Sequence, residues 1–373
     1  MLYIHIPFCK QACHYCDFHF STNLEFRDKM VEAICKEMES RKGYLSSNKL
    51  ASVYLGGGTP SLLTEKNLEK IFQTIHSNFE MDENAEITLE ANPDDLDYEK
   101  LKLLKAVGVN RLSIGVQSFD ESHLKFMNRA HSSKEALCSI ENAKKAGFDN
   151  LTIDLIYGIP SESHHKLLTD IEIATSFNIH HISAYCLTIE PKTTFGKWVK
   201  THKLKPIDEN FASEQFEILM RGLAKKGFEQ YEISNFAKNG HYSKHNSSYW
   251  LGNQYLGIGP SAHSFDGNSR QFNIANNSLY IKGIDTNNQS FELETLTDVD
   301  KTNEYLMTSL RTIWGTDLNR LSNLSNNRFE HQNQKVVDNY IIKNWVRIQD
   351  SKLTLTEAGK FFADQIAANL FIE

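Results

Sequence analysis

The chain predicts an α/β fold, a partial (β/α)6 barrel followed by a C-terminal winged-helix-like domain. Six strand-like runs recur at roughly thirty-residue intervals with amphipathic helical stretches between most of them, the rhythm that builds a parallel sheet. That rhythm stops after a helical stretch near 208–227, and residues 233–295 are crowded with Asn, Ser, Gly, His and aromatics. From about 297 helical patterning returns, and two short β runs around Asp350-Ser351-Lys352 precede a last helix ending near Leu370.

Taken in order, strands are expected at 2–6, 52–55, 86–90, 111–115, 151–156 and 181–187. Helices are expected at 24–42, 65–79, 97–107, 121–128, 133–146 and 162–177, where apolar residues fall at three- and four-residue spacing. Six strands in place of eight make a partial barrel, and in barrels of this kind function collects at the C-terminal strand ends. The expected units are a core over 1–232, an irregular connector over 233–295 lying across the barrel mouth, and a terminal domain over 296–373. Winged-helix folds often bind DNA but also serve as packing modules, so the fold alone assigns no role.

The 373 residues suffice for two or three domains with a well-buried core. A net charge of −7 argues against a large nucleic-acid surface, and the basic run 197–205 reads as a solvated loop. No apolar run approaches a bilayer span, and Pro7 and Cys9 interrupt the first apolar residues at once, so a cytoplasmic protein is expected. Of six cysteines, three crowd into eight residues. Cys35, Cys138 and Cys186 read as buried structural thiols in a reducing compartment.

The crowded three, Cys9, Cys13 and Cys16, stand in a C-x3-C-x2-C run directly after the first strand. Iron–sulfur clusters normally take four cysteines; three at this spacing hold three irons of a [4Fe–4S] cluster and leave one open for an exogenous ligand. A zinc site is the competing reading, with His14 or His19 as the fourth ligand. The run Gly56-Gly57-Gly58-Thr59-Pro60 closes the second strand, where absent Cβ atoms let backbone approach a ligand. On that reading Gly58→Val weakens ligand binding and spares the iron. Glu90, Gln117 and Asp154 fall on successive strands as convergent polar groups of one pocket, and Arg129 stands past a helix where it could neutralise a carboxylate.

Together these residues give the sequence a resemblance that covers essentially the whole chain. Its opening Tyr-Ile-His-Ile-Pro-Phe-Cys, Gly-Gly-Gly-Thr-Pro-Ser, Glu-Ala-Asn-Pro and Arg-Leu-Ser-Ile-Gly-Val-Gln-Ser-Phe resemble the radical S-adenosylmethionine (SAM) group of oxygen-independent coproporphyrinogen III oxidases and their relatives. The resemblance implies that SAM chelates the open iron and that an electron from the cluster breaks a carbon–sulfur bond to give a 5′-deoxyadenosyl radical. It implies SAM contacts at Tyr3, Tyr15, Gly57, Gly58, Thr59 and Glu90, while Gln117, Arg129 and Asp154 match positions that contact a second SAM in the oxidases.

Two departures separate this chain from the decarboxylating branch. The oxidases carry a further cysteine two residues after the third ligand, where this chain has Phe18, and a segment before the first strand, which here begins at residue 2. Both features resemble the shorter relatives that are haem chaperones. Their motif His-Asn-x-x-Tyr-Trp stands here as His245-Asn246-Ser247-Ser248-Tyr249-Trp250. Imidazole is a common axial haem ligand, and Tyr and Trp offer flat faces with polar tips. His241 and His263 lie close enough in sequence to compete with His245 as ligand.

The expectation is a haem chaperone on a radical SAM core that binds haem, passes it to an acceptor apoprotein and draws on a reductant for the cluster, with no nucleic-acid partner. Two rivals are anaerobic decarboxylation of coproporphyrinogen III and radical chemistry on RNA.

Overall fold

The computed structural model describes residues 1–288 and 291–373. β1 (Leu2–Ile6), β2 (Lys49–Gly57), β3 (Glu80–Ala91), β4 (Arg111–Gln117), β5 (Leu151–Tyr157) and β6 (His181–Cys186) are parallel neighbours in chain order. They are linked by α1 (Arg27–Ser40), α2 (Glu65–Asn78), α3 (Tyr98–Ala106), α4 (Glu121–Phe126), α5 (Ser133–Lys145) and α6 (His165–Ser176). Capping boxes at Thr64/Asn67 and Ser132/Glu135 start α2 and α5 by satisfying first-turn N–H groups. Leu2, Ile4 and Ile6 of β1, with Val53 and Leu55 of β2, point outward into one core with Met30, Ile34, Leu68 and Ile71 of the covering helices.

α7 (Thr194–Lys200) occupies the start of the basic run expected as a loop, because Phe195 and Trp198 pack beneath the cysteine loop. α8 (Glu209–Lys225) covers the last strands. Cys35 is buried, Cys186 half-buried and Cys138 exposed. The expectation fails at Cys138 because the buried stripe of α5 runs through Ala136, Ser139, Ile140 and Ala143, which leaves position 138 outside it.

Residues 229–288 and 291–295 carry more regular structure than the sequence suggested. β7 (Glu229–Gln230) and β8 (Asn235–Ala237) extend the sheet antiparallel from β6, α9 (Lys244–Trp250) follows, and β9 (Leu256–Ile258) lies parallel beside β1. β10 (His263–Phe265), β11 (Ser269–Asn273) and β12 (Phe291–Thr295) form a small sheet of their own, and α10 (Asn277–Asp285) packs on α1. The buried carboxylate of Glu37 on α1 pins this segment. It accepts from Arg41 Nη1 (3.1 Å), Gly259 N (2.9 Å), Asn273 Nδ2 (2.8 Å) and Tyr280 Oη (2.6 Å), which together compensate its desolvation.

The terminal domain has its own core around Leu306, Leu321, Phe329, Leu353 and Ile366. α11 (Asp298–Leu310), β13 (Thr316–Asp317), α12 (Leu318–Ser325), α13 (Arg328–Ile342), β14 (Val346–Gln349) and β15 (Lys352–Leu355) give the winged-helix order, and α14 (Glu357–Lys360) and α15 (Ala363–Asn369) end the chain. Among the described residues no helix is long and apolar enough to cross a membrane.

Candidate functional site

Strand alternation turns one set of side chains into the barrel lumen, and that set is polar. Tyr54 bonds across β2–β3 to Glu90 (2.7 Å), Ser113 across β4–β5 to Asp154 (3.1 Å), and Thr152 across β5–β6 to His181 (3.0 Å), so these residues share the inner face. Closed (β/α)8 barrels fill their interior mainly with branched apolar side chains. A polar lumen suits a polar ligand better than an apolar one.

The cysteine loop sits at the C-terminal strand ends. Cys9 N donates to Ser21 O (3.0 Å) and Ser21 N to Pro7 O (2.9 Å), which closes the loop on itself. Gly58 N donates to Ile6 O (2.9 Å) and Thr59 N to Phe8 O (2.6 Å), while Lys10 pairs with Asp94 (2.7 Å) and Asp95. All three thiols are half-buried. Thr59 Oγ1 donates to Cys9 Sγ (3.5 Å) and Arg129 Nη1 to Cys13 Sγ (3.3 Å), the kind of donor that stabilises cluster-bound thiolate. Burial pushes the Cys9 thiol up and the Cys16 thiol to about 12, so loading metal must release protons from both.

The two histidines of the zinc reading are engaged elsewhere. His14 Nδ1 bonds to Phe126 O (3.0 Å) and its ring packs on Trp198, while His19 Nε2 bonds to Asn277 Oδ1 (2.7 Å). Among the described residues no three His, Cys, Asp or Glu side chains converge on a point for a single ion. A four-iron cube takes each thiolate on a different iron and asks for no such convergence. The loop therefore fits the cluster. Phe18, at the position of the oxidases' further cysteine, is 72% exposed.

Beside the loop, Glu90 accepts from Tyr54 Oη (2.7 Å) and Gly57 N (3.1 Å), and Tyr3 packs near Tyr54 with its hydroxyl on His5 Nδ1 (3.0 Å). Arg129 joins Cys13, Tyr15 Oη (3.3 Å), Asn92 Oδ1 (2.7 Å) and Gly115 O (2.8 Å). A Cβ on Gly115 would lie 3.1 Å from Gln117 Nε2 and 3.3 Å from Arg129 Nη2, so these two side chains meet over one bare backbone. Gln117 has φ +67°, and the β4–β5 register shifts between Ile114 and Gln117. Bulges and left-handed non-glycine residues of this kind re-aim side chains at functional sites. The expected SAM residues are thus neighbours, with Asp154 deeper in the lumen on Ser113.

The glycine run differs from its sequence reading. A Cβ on Gly57 (φ +101°) would stand 2.3 Å from His5 Nδ1, and one on Gly58 2.6 Å from both Ile6 O and Phe8 O. The bare backbone is needed first by the chain itself, where β1 and the cysteine loop press against β2.

Burial pushes Glu90 up to about 7, against its hydrogen bonds from Tyr54 and Gly57, and pushes Asp154 up to about 6. Both folded values lie above the unfolded ones, so their contribution to stability is present at low pH and fades as pH rises through about 7. A cationic ligand reverses that trend by favouring carboxylate. SAM affinity, measured anaerobically by equilibrium dialysis, is expected to tighten from pH 6 to 8 (roughly one unit either side of Glu90's value), and Glu90→Gln to weaken binding and flatten the slope. Equal slopes in both proteins would remove Glu90 from the ligand.

The hexapeptide lies on the opposite, N-terminal side of the lumen. Ser243 caps α9 (Oγ to Asn246 N, 3.3 Å), and Glu86 of β3 accepts from Lys244 N (3.1 Å) and His245 N (3.0 Å), fixing the helix start against the barrel floor. His245 is buried, stacks on Tyr54 at 4.9 Å, and has both ring nitrogens engaged, Nδ1 with Ser52 Oγ (2.9 Å) and Nε2 with Tyr249 Oη (3.1 Å). Burial pushes it down to about 3, so the imidazole is neutral. Asn246 is half-buried, and Trp250 lies under the Arg311 guanidinium at 5.6 Å. His241 and His263 are exposed.

Sequence reasoning saw Glu90, Gln117 and Asp154 as polar groups of one pocket but missed the floor network and the polar residues deeper in the lumen, Ser52, Glu86, Arg111, Thr152 and His181. The signal was present in the two-residue alternation of Tyr3-Ile-His-Ile, Arg111-Leu-Ser-Ile and Leu151-Thr-Ile-Asp. Parallel strands buried on both faces ordinarily read as continuous apolar runs.

The barrel and its three-cysteine loop together define a radical SAM protein, and the profile of the radical SAM superfamily matches residues 3–174. A radical SAM core carries a [4Fe–4S] cluster and SAM. Heme chaperone HemW of Bacillus subtilis (strain 168) is 34% identical over 98% of this chain and 97% of its own length, and that of Haemophilus influenzae 31% identical over 98% and 96%. Within the superfamily, the chain belongs to the heme chaperone HemW family. The structure of coproporphyrinogen III oxidase (HemN) from Escherichia coli superposes with a TM-score of 0.85 over 99% of this chain and 89% of that one at 21% identity, a likeness of fold.

Proposed function

We infer that this protein is a haem chaperone, which binds haem and transfers it to an acceptor apoprotein. The observation that carries this is the match to heme chaperone HemW relatives over nearly the full length of both chains. We assign the cluster to Cys9, Cys13 and Cys16, and SAM to Tyr3, Tyr15, Gly57, Gly58, Thr59, Glu90, Gln117, Arg129 and Asp154. When bound, the cluster supplies the electron that SAM chemistry needs. Arg129 holds Cys13 and Tyr15 in place and brings positive charge to the loop, and Glu90 offers a carboxylate to the cationic ligand. Six free cysteines suit work in the reducing cytoplasm, where a reductant for the cluster is at hand.

The test is direct. Anaerobically reconstituted protein is expected to give a saturable one-to-one Soret complex with haem and to yield that haem to an apo-haemoprotein. It is expected to form no vinyl product from coproporphyrinogen III with SAM and reductant. Absence of any haem complex in a folded, cluster-loaded protein overturns the reading.

Haem ligation by His245, with Asn246, Tyr249 and Trp250 around it, requires a local opening, since both ring nitrogens are in use. Tyr249→Phe frees Nε2 and is expected to speed haem uptake, while His245→Ala weakens haem binding about ten-fold or more and shifts the Soret band. Stopped-flow uptake rates equal in all three proteins would place the iron ligand elsewhere.

A further inference from the structure

A cleft of about 1400 Å3 separates α8 from the terminal domain, far larger than the ~300–1,000 Å3 of ordinary small-ligand pockets. Phe228, Ile313, Phe361 and Phe362 line it, and the last three are 37%, 37% and 39% exposed, which is apolar surface open to solvent. Four cations and four carboxylates (Glu217, Glu229, Glu232 and Glu357) also line it, and two of the cations are spoken for. Arg221 pairs with Glu217 and Arg311 with Asp364. Among the described residues, Arg347 and Lys360 have no carboxylate within ion-pair distance.

Arg347 bonds only to Thr354 Oγ1 (3.2 Å) and Lys360 only to Gln230 Oε1 (2.9 Å). Glu229 and Glu357 stand near Lys360 without pairing, and Glu229 already accepts from Tyr242 Oη (2.5 Å). Lys360 is half-buried and Arg347 exposed, and both line the same cleft. Two cations that line one cleft, each with a single neutral side-chain partner, can take the carboxylates of an anionic ligand.

We propose that this cleft is the dock for the porphyrin, with its flat face against Phe361, Phe362 and Ile313 and its two propionates on Arg347 and Lys360. The assignment rests on the haem-chaperone reading and adds a station to it, outside the lumen and apart from His245. Haem is a broad apolar plate with two carboxylates on one edge, the complement of this wall. The cleft is also tied to the hexapeptide, because Arg311, on its rim, covers the face of Trp250. Docking by faces and charges, with no bond to iron, suits a carrier that must release its cargo.

Metal-free protoporphyrin IX separates this dock from iron ligation. Fluorescence titration is expected to show it bound by the wild type, weakened about ten-fold or more in Arg347→Gln/Lys360→Gln, and unaffected in a charge-matched Lys102→Gln/Lys145→Gln control on distant exposed sites. The dimethyl ester, lacking both carboxylates, is expected to bind wild type as weakly as the double variant binds the acid. Iron content and thermal melting verify that the variants are folded. If wild type forms its haem complex but the acid, the ester and the double variant bind alike, the dock is overturned and the chaperone reading stands. If wild type binds neither haem nor protoporphyrin, both fall.

Discussion

Replacing any one of Cys9, Cys13 and Cys16 by Ala is expected to leave a folded barrel that holds no intact four-iron cluster. After anaerobic reconstitution, iron and sulfide are expected to fall towards background and the reduced-cluster electron paramagnetic resonance signal to disappear, whereas Cys35→Ala, Cys138→Ala and Cys186→Ala are expected to keep both. The contrast follows from placement. The three loop thiols lie on one closed turn with donors from Thr59 and Arg129, whereas Cys35 faces the core, its Sγ 3.9 Å from Lys70 O. With only three cysteine ligands, loss of one leaves at most two, and neither His14 nor His19 stands ready as a substitute. A cluster that survives Cys13→Ala would sink the assignment.

Gly58→Val is expected to cost both ligand and cluster, contrary to the sequence expectation that iron would be spared. The first new carbon would meet Ile6 O and Phe8 O at 2.6 Å and Phe8 N at 2.8 Å, all main-chain atoms that cannot rotate away. The strand or the cysteine loop must move, at about 1–3 kcal/mol by the scale of overpacked sites. The melting temperature is expected to drop by several degrees, with iron content and SAM binding falling together. Gly43→Val, where nothing lies within 4 Å, is the matched control. Normal iron with selective loss of SAM in Gly58→Val would restore the simpler view of the glycine run.

Those two cases show what the sequence could and could not convey. Strong local periodicity made the six parallel strands and their helices legible, because each covering helix carries an apolar stripe and each strand a Val-, Ile- or Leu-rich outer face. The cysteine spacing and the strand-end position of Glu90 and Gln117 made the mouth legible as well. The hexapeptide was legible as a motif but not as a place. His245 and Tyr249 are one helical turn apart and bond to each other inside a barrel floor, yet the intervening serines have weak helix preference and the flanking strands β8 and β9 are only three residues each. The reasons for Gly57 and Gly58 lie in contacts with His5, Ile6 and Phe8, some fifty residues earlier, which no local pattern records.

The pairing of β9 with β1 has a consequence for how the molecule is made. β1 is made before the other strands of its sheet, but one of its two edges finds its partner only when Leu256–Ile258 has been synthesised, and the floor closes only when α9 reaches Glu86. Until then the nascent chain carries an open strand edge and an unsealed polar interior, the long-range contacts that slow folding and expose intermediates to aggregation. A chain ended at residue 232, where the sequence rhythm stops, would keep both defects permanently. The barrel therefore completes itself only after its sixth parallel strand has long been made, and the segment that completes it is the one that carries the hexapeptide 245–250.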